Sequence, residues 1–181
     1  FLAGKAEEST LALRPESLLA SLGIEIVAGT AVTAIDRTAR RVITADGRRI
    51  AYDHLALTTG SRARTLAIAG ADADKLLTLR TLADARRLRA AAATCREVVI
   101  VGGGFVGLEV AATLAAAGAA VTVVETEQRL LKRAVSPAVS DAVMRLHTRH
   151  GVGLRLGARV TAIDRAGDRA RAVRLDDGSV L

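Results

Sequence analysis

EVVIVGGGFVGLEVAATLAAAGAAVTVVE, residues 97–125, reads as a strand, a turn, a helix and a second strand, and the rest of the chain is arranged around it. Val98, Val99, Ile100 and Val101 form an unbroken β-branched run, the pattern of a parallel strand buried on both faces. Glycines follow at once. Gly102, Gly104 and Gly107 match G-x-G-x-x-G: the first permits a tight turn, the second lets the backbone approach a pyrophosphate, and the third lets the helix pack against the strand. From Phe105 to about Ala117 the residues are mostly good helix formers, Gly118 suits a C-terminal cap, and Val121 to Val124 form a second strand.

Glu125 closes that strand, 23 residues after Gly102, close to the usual distance for an acid that accepts ribose hydroxyls. A carboxylate there repels a 2′-phosphate and favours NAD over NADP, a preference tempered by Arg129 and Arg133 nearby. Taken alone, the glycine pattern is also compatible with a simple chain reversal. The strand before it, the helix after it and the acid at the right remove argue for a dinucleotide site.

The chain has 181 residues, half of them apolar, enough for one large domain or two small ones. Only 2% are aromatic, so the core is built from Ala, Val, Leu and Ile, and no ring platform for stacking bases is present. The formal net charge of +7 suits an acidic partner. The basic residues are dispersed, with Arg37, Arg40 and Arg41 in one place, Arg48 and Arg49 in another, and Arg86, Arg87 and Arg89 on an expected helix. That dispersal argues for solvated faces and against nucleic acid. One cysteine, Cys95, excludes a disulfide framework, a CxxC redox pair and a cysteine zinc cluster, and is expected buried or half-buried. No apolar run reaches spanning length and no leader pattern opens the chain, so a cytoplasmic protein is expected. The first residue is Phe1 and not Met, which suggests that a natural beginning precedes it.

Working outward, residues 1–13 read as loop. Pro15 to about Leu22 reads as a short helix with Leu18, Leu19 and Leu22 inward, stopped by Gly23. Ile24, Ile26, Val32, Ala34 and Ile35 alternate through two short strands, Val42–Thr44 and Ile50 flank an Asp46-Gly47 turn, and Leu55 to Gly60 reads as a buried strand. Thr81 is placed to cap a helix over about Leu82 to Ala93, with Asp84 a shorter substitute for the usual capping-box Glu. Arg80, beside that helix start, is a candidate phosphate contact.

Residues 23–37, GIEIVAGTAVTAIDR, and 151–165, GVGLRLGARVTAIDR, agree at eight of fifteen positions at a fixed offset of 128. Each copy follows a helix, the second over about Ser140 to His147, and each precedes a hairpin turn, Asp46-Gly47 or Asp177-Gly178. The chain therefore holds two copies of one design. At that offset, the twin of the glycine turn falls upstream of Phe1, and the twin of Leu55–Gly60 falls beyond Leu181. The expected class is α/β: a Rossmann-like NAD-binding domain with a parallel sheet and a β-hairpin insert, over 82–181, and a truncated portion of a second, similar nucleotide-binding domain over 1–81.

FLAGK, GTAVTAID, DGRRIAYDHLALTTGSRAR, LRTLADA, VVIVGGGFVGLEVAA and RAVSPAVSDAVMRLHTRHGV together resemble the FAD-dependent pyridine nucleotide-disulfide oxidoreductase superfamily, and within it the branch of rubredoxin, putidaredoxin and dioxygenase-ferredoxin reductases. That resemblance implies that the truncated portion over 1–81 is an FAD-binding domain, that Val32 meets the FAD adenine through its backbone, that Thr59 and Gly60 belong to a second FAD-contacting turn, and that Arg80 reaches toward the flavin. It further implies that Gly102, Gly104, Phe105, Val106 and Gly107 cradle NAD, that Glu125 binds the adenosine ribose with help from Arg133, and that Glu109 contacts the nicotinamide end. On spacing alone Glu109 is equally a first-turn helix carboxylate favoured by the helix dipole. The family's N-terminal FAD fingerprint, a lysine and its C-terminal flavin motif lie outside these residues, so the chain by itself is expected to hold flavin weakly or not at all.

The implied activity passes hydride from NADH to FAD and electrons singly to a small ferredoxin-like iron–sulfur protein. The alternative from another class is a catalytically silent NAD(H)-binding module. Oligomeric state is not legible in the sequence.

Overall fold

The computed structural model describes residues 1–72, 76–167 and 169–181. Two compact units divide it, one formed by Ser9–Ser61 and the other by Phe1–Glu8 with Arg62–Leu181.

In the smaller unit, α1 (Glu16–Ser21) begins after Pro15 and ends at Gly23, whose φ of +69° lets the Ile24 amide reach back to the Leu19 carbonyl at 3.0 Å. Leu18 and Leu22, expected to face inward, are exposed, and Leu19 is half-buried. β1 (Val32–Asp36), β2 (Arg41–Thr44) and β3 (Arg49–Ala51) form an antiparallel meander in that order. The register of β1 on β2 shifts between Val32 and Ala34, and at the shift Thr33 Oγ1 donates to the Ile43 carbonyl at 3.2 Å. Asp46 caps the following turn, accepting from the Thr44 hydroxyl and the Arg48 guanidinium.

Two expected strands are not formed. Residues 24–28 and 55–60 have no regular ladder, and Leu57 is 68% exposed. An apolar run becomes a strand only where a neighbour supplies donors and acceptors. Among the described residues, no strand pairs with either segment.

The larger unit carries the stretch first quoted. α2 (Leu82–Ala92) opens with a complete capping box: Thr81 Oγ1 accepts from the Asp84 amide at 3.1 Å, and Asp84 Oδ2 accepts from the Thr81 amide at 2.9 Å. The shorter Asp closes the box as Glu usually does. β4 (Glu97–Val101), α3 (Phe105–Ala116), β5 (Ala120–Glu125), α4 (Pro137–Arg149) and β6 (Gly153–Leu156) follow, and the three strands pair in parallel in the order β4-β5-β6. The second helix of the repeat thus starts at Pro137, before the expected Ser140, because Pro at N1 is pre-set for helix geometry.

β5 is central, with Val121, Val123 and Val124 buried. β4 corrects an expectation: among the described strands it pairs with β5 alone, its valines are only half-buried and Val101 is 44% exposed. Cys95, just before it, is exposed, with Sγ 2.9 Å from the Glu97 carbonyl oxygen, and not buried or half-buried. Leu88, Val110, Ala111, Leu114, Val121, Val123 and Val152 pack α2, α3 and the sheet together. Ala111 is fully buried, and its short side chain lets α3 approach the strands.

β7 (Val160–Ala166) and β8 (Arg169–Leu175) form an antiparallel ribbon that repeats the smaller unit's hairpin. Its register shifts between Val160 and Ala162, and Thr161 Oγ1 donates to the Arg174 carbonyl at 3.2 Å. Past the Asp177-Gly178 turn, Val173 and Leu181 exchange both backbone hydrogen bonds. α4 ends at Gly151, with the Val152 amide reaching the His147 carbonyl at 3.0 Å, as α1 ends at Gly23. The duplication read from VTAIDR is therefore carried by the same cap, the same bulge and the same side-chain bond in both copies.

Residues 62–72 and 76–81 group with the larger unit. Ile68, Ala71 and Leu76 pack on the Val124–Val160–Ile163 cluster, and the Ile163 amide donates to the Ala69 carbonyl at 2.9 Å. Among the described residues, no helix is long and apolar enough to cross a membrane.

Candidate nucleotide-binding site

β4 delivers the chain into the glycine turn, where the Gly102 amide donates to the Val124 carbonyl at 2.8 Å. Gly102 has φ +110°, a conformation open to glycine and strained for other residues. A Cβ on Gly107 would overlap the Gly102 carbonyl oxygen, so the third glycine is where helix and strand touch. Gly104 is different in kind: nothing lies within 4 Å of where its Cβ would stand. The protein leaves that space free, and backbone can approach a bound group there.

Gly104 is also the N-cap of α3, and no side chain caps that end. The first amides of a helix lack intrahelical partners, and the helix dipole makes this end positive. An uncapped, glycine-lined helix start suits a phosphate or diphosphate. Phe105 and Val106, the next residues, are both exposed, and Glu109 sits one turn on, also exposed.

Glu125 stands at the end of β5, beside the turn. Its Oε2 accepts from the Gly103 amide at 2.6 Å, and its Oε1 from the Glu127 amide at 2.9 Å and the Thr126 hydroxyl at 3.1 Å. Burial opposes ionisation of this half-buried group, but the Glu127 and Gly103 amides and the Thr126 hydroxyl outweigh it and hold the carboxyl below the usual glutamate range. A carboxylate offers about four acceptor positions. With three donors already seated, the group is oriented and retains capacity for a ligand hydroxyl.

Gly103, Leu130 and Leu131 were not singled out by the motif, yet they fasten the turn from behind. The Leu131 amide donates to the Gly103 carbonyl at 3.0 Å, and Leu130 Cδ2 stands 2.6 Å from the position a Cβ on Gly103 would take. The only available sequence signal was an apolar pair inside a charged loop. Nearby, the Arg129 guanidinium donates to the Val135 and Lys132 carbonyls, and Arg133 is exposed.

The structure thus brings together Gly102, Gly104, Phe105, Val106, Gly107 and Glu125. In the smaller unit, Val32 and Thr59 line one open hollow of about 530 Å³ together with Ala34, Ile35, Val42 and Leu57. Gly60 follows with φ +73°. In the larger unit, Arg80 is exposed next to the start of α2, its amide donating to Asp84 at 3.1 Å. Among the described residues, no cluster of His, Cys, Asp and Glu forms a metal site.

A sequence model of the family described as pyridine nucleotide-disulphide oxidoreductase matches residues 2–181. The chain belongs to that family. Within it, the chain is similar to the ferredoxin-reductase branch. It is 40% identical to putidaredoxin reductase CamA of Pseudomonas putida over 186 residues, which takes in all of this chain and 44% of that protein. Among solved structures, the ferredoxin reductase for the CYP199A2 system from Rhodopseudomonas palustris matches with a TM-score of 0.92 at 37% identity, over 99% of this chain and 44% of that one. A covalent putidaredoxin reductase–putidaredoxin complex matches with a TM-score of 0.89 at 39% identity, again over 99% of this chain and 44% of that one. The chain thus spans less than half the length of these relatives.

Proposed function

We propose that these residues are the nicotinamide-dinucleotide-binding part of an FAD-dependent NADH:ferredoxin-type reductase. One observation carries this reading: the turn that leaves free space at Gly104 is bonded through its Gly103 amide to the oriented Glu125 carboxylate, in a chain that matches ferredoxin reductases along nearly its whole length.

In this reading the amides of Gly104, Phe105 and Val106 hold the pyrophosphate, and Gly102 and Gly107 shape the turn that presents them. Glu125 takes an adenosine ribose hydroxyl and disfavours a 2′-phosphate, so NADH is the donor, with Arg133 assisting at the adenosine end. Glu109 contacts the nicotinamide end. Residues 82–181 are the NAD-binding domain, and 1–81 are part of an FAD-binding domain in which Val32, Thr59 and Gly60 meet the adenine side and Arg80 reaches toward the flavin. FAD held by Val32, Thr59, Gly60 and Arg80 would supply the capacity to take hydride from NADH and to give up electrons one at a time. The partner is a small acidic iron–sulfur protein drawn by the chain's positive charge, and the setting is the cytoplasm, in keeping with a lone cysteine.

NADH titration of the 181-residue chain, followed by NADH fluorescence and by competition with ADP-ribose, tests the site. Saturable binding displaced by ADP-ribose is expected. Absence of such binding rejects the reading. A visible spectrum with added FAD separates the two classes of function: flavin absorbance bleached by NADH makes the chain itself an enzyme, and NADH binding without flavin retention makes it a silent module of the larger one.

A further inference from the structure

The loop between β5 and α4 grips the glycine turn at Gly103, and we infer that Ser140 is a positioning residue for the dinucleotide site proposed above, acting through Leu130, Leu131 and the peptide that joins Gly103 to Gly104.

Ser140, in the first turn of α4, is fully buried, as is Leu130. Its hydroxyl donates to the Leu130 carbonyl at 2.6 Å. A helical serine has an easier partner, the carbonyl one turn back. Here the hydroxyl instead leaves the helix and fixes the loop at Leu130.

The next residue, Leu131, has φ +53°, which is uncommon for a residue with a side chain. It is held there by burial and by two amides, Ala134 and Val135, that donate to its carbonyl at 2.8 and 3.1 Å. This reversal aims the Leu131 amide at the Gly103 carbonyl. A trans peptide is planar, with its carbonyl and amide pointing in opposite directions. Fixing the Gly103 carbonyl toward Leu131 therefore fixes the Gly104 N–H away from Leu131, at an exposed residue with no protein atom within 4 Å of where its Cβ would stand. The Gly103 amide is meanwhile held by Glu125, so the turn is restrained on both sides before any ligand arrives.

The inference depends on the proposed site, and the test separates the two. Affinities for NADH, ADP-ribose and adenosine are measured for the wild-type chain, Ser140→Ala and Ser140→Cys, at a temperature well below each variant's melting point. Ser140→Ala is expected to weaken NADH and ADP-ribose about three- to tenfold, as a hydrogen bond lost from a buried partner does, and to leave adenosine, which has no phosphate, unchanged. The Leu131 amide should exchange faster with solvent in that variant. Ser140→Cys, with a weaker donor of similar shape, should fall between the two, and carries the test if the alanine variant does not fold. Unchanged NADH and ADP-ribose affinity in a folded variant, or an equal loss for adenosine, overturns the positioning role alone. A wild-type chain that binds neither NADH nor ADP-ribose overturns the site and the relay together.

Discussion

Gly107 rests so closely on the Gly102 carbonyl that a β-carbon cannot stand between them, while Gly104, in the same turn, has no protein atom within 4 Å of its missing side chain. The two glycines therefore separate folding from binding. Gly107→Ala pushes α3 off the turn and should cost about 1–3 kcal/mol of stability, the usual penalty of overpacking. Gly104→Ala, in extended backbone at φ −84°, should lower the melting temperature little, since only the N-cap preference changes. It should nevertheless weaken NADH at least tenfold. Thermal melts beside NADH titrations of both variants check the contrast, and a Gly104→Ala chain that binds normally contradicts the proposed approach of the pyrophosphate.

Glu125 gives the site a pH dependence. Folding lowers its pKa, so its contribution to stability is complete above the ordinary glutamate range near 4 and drains away as pH falls through the lower folded value. Glu125→Gln keeps the shape, loses the charge and turns a donor toward the Glu127 or Gly103 amide. It should bind NADH about tenfold more weakly and lose part of the wild-type fall in stability on acidification. Melting temperatures of both proteins between pH 3 and 7 report the difference.

Thr81 and Asp84 close their capping box at the start of α2 on the larger unit's surface. Thr81→Ala should lower stability by about 1 kcal/mol, with NADH affinity unchanged. Denaturant unfolding with a parallel NADH titration distinguishes this from any role of the helix start in ligand binding.

Leu130 is fully enclosed, and its neighbours Leu108, Leu131, Val143 and Met144 belong to α3, the loop and α4. Leu130→Ala should cost about 2–5 kcal/mol, the range for a truncated core leucine. It also removes the side chain behind Gly103, so NADH affinity should fall with stability. A loss of stability alone would show that the turn keeps its shape without that support.

Much of the architecture was legible in the residues. The order of strand, turn, helix and strand, the acid at the end of β5, and the doubled design around VTAIDR follow from patterns that act over short distances: left-handed glycines at helix ends, β-branched runs, and Asp-Gly turns. Thr33 and Thr161 make the same bond at the same bulge because the same few residues surround each. Such features need little from the rest of the fold.

Tertiary structure decided the remainder. Ile24 to Ala28 and Leu55 to Gly60 carry strand composition without becoming strands, and Val101 is a strand residue left partly open, because pairing and burial belong to neighbours and not to the segment. Nor does the glycine pattern reveal that Gly103 is held by Glu125, Leu131 and Leu130, three residues brought to it from β5 and the loop beyond. Local sequence determines which conformations a backbone favours; which of its donors and acceptors are satisfied, and which are left for a ligand, depends on the surfaces that packing brings against it.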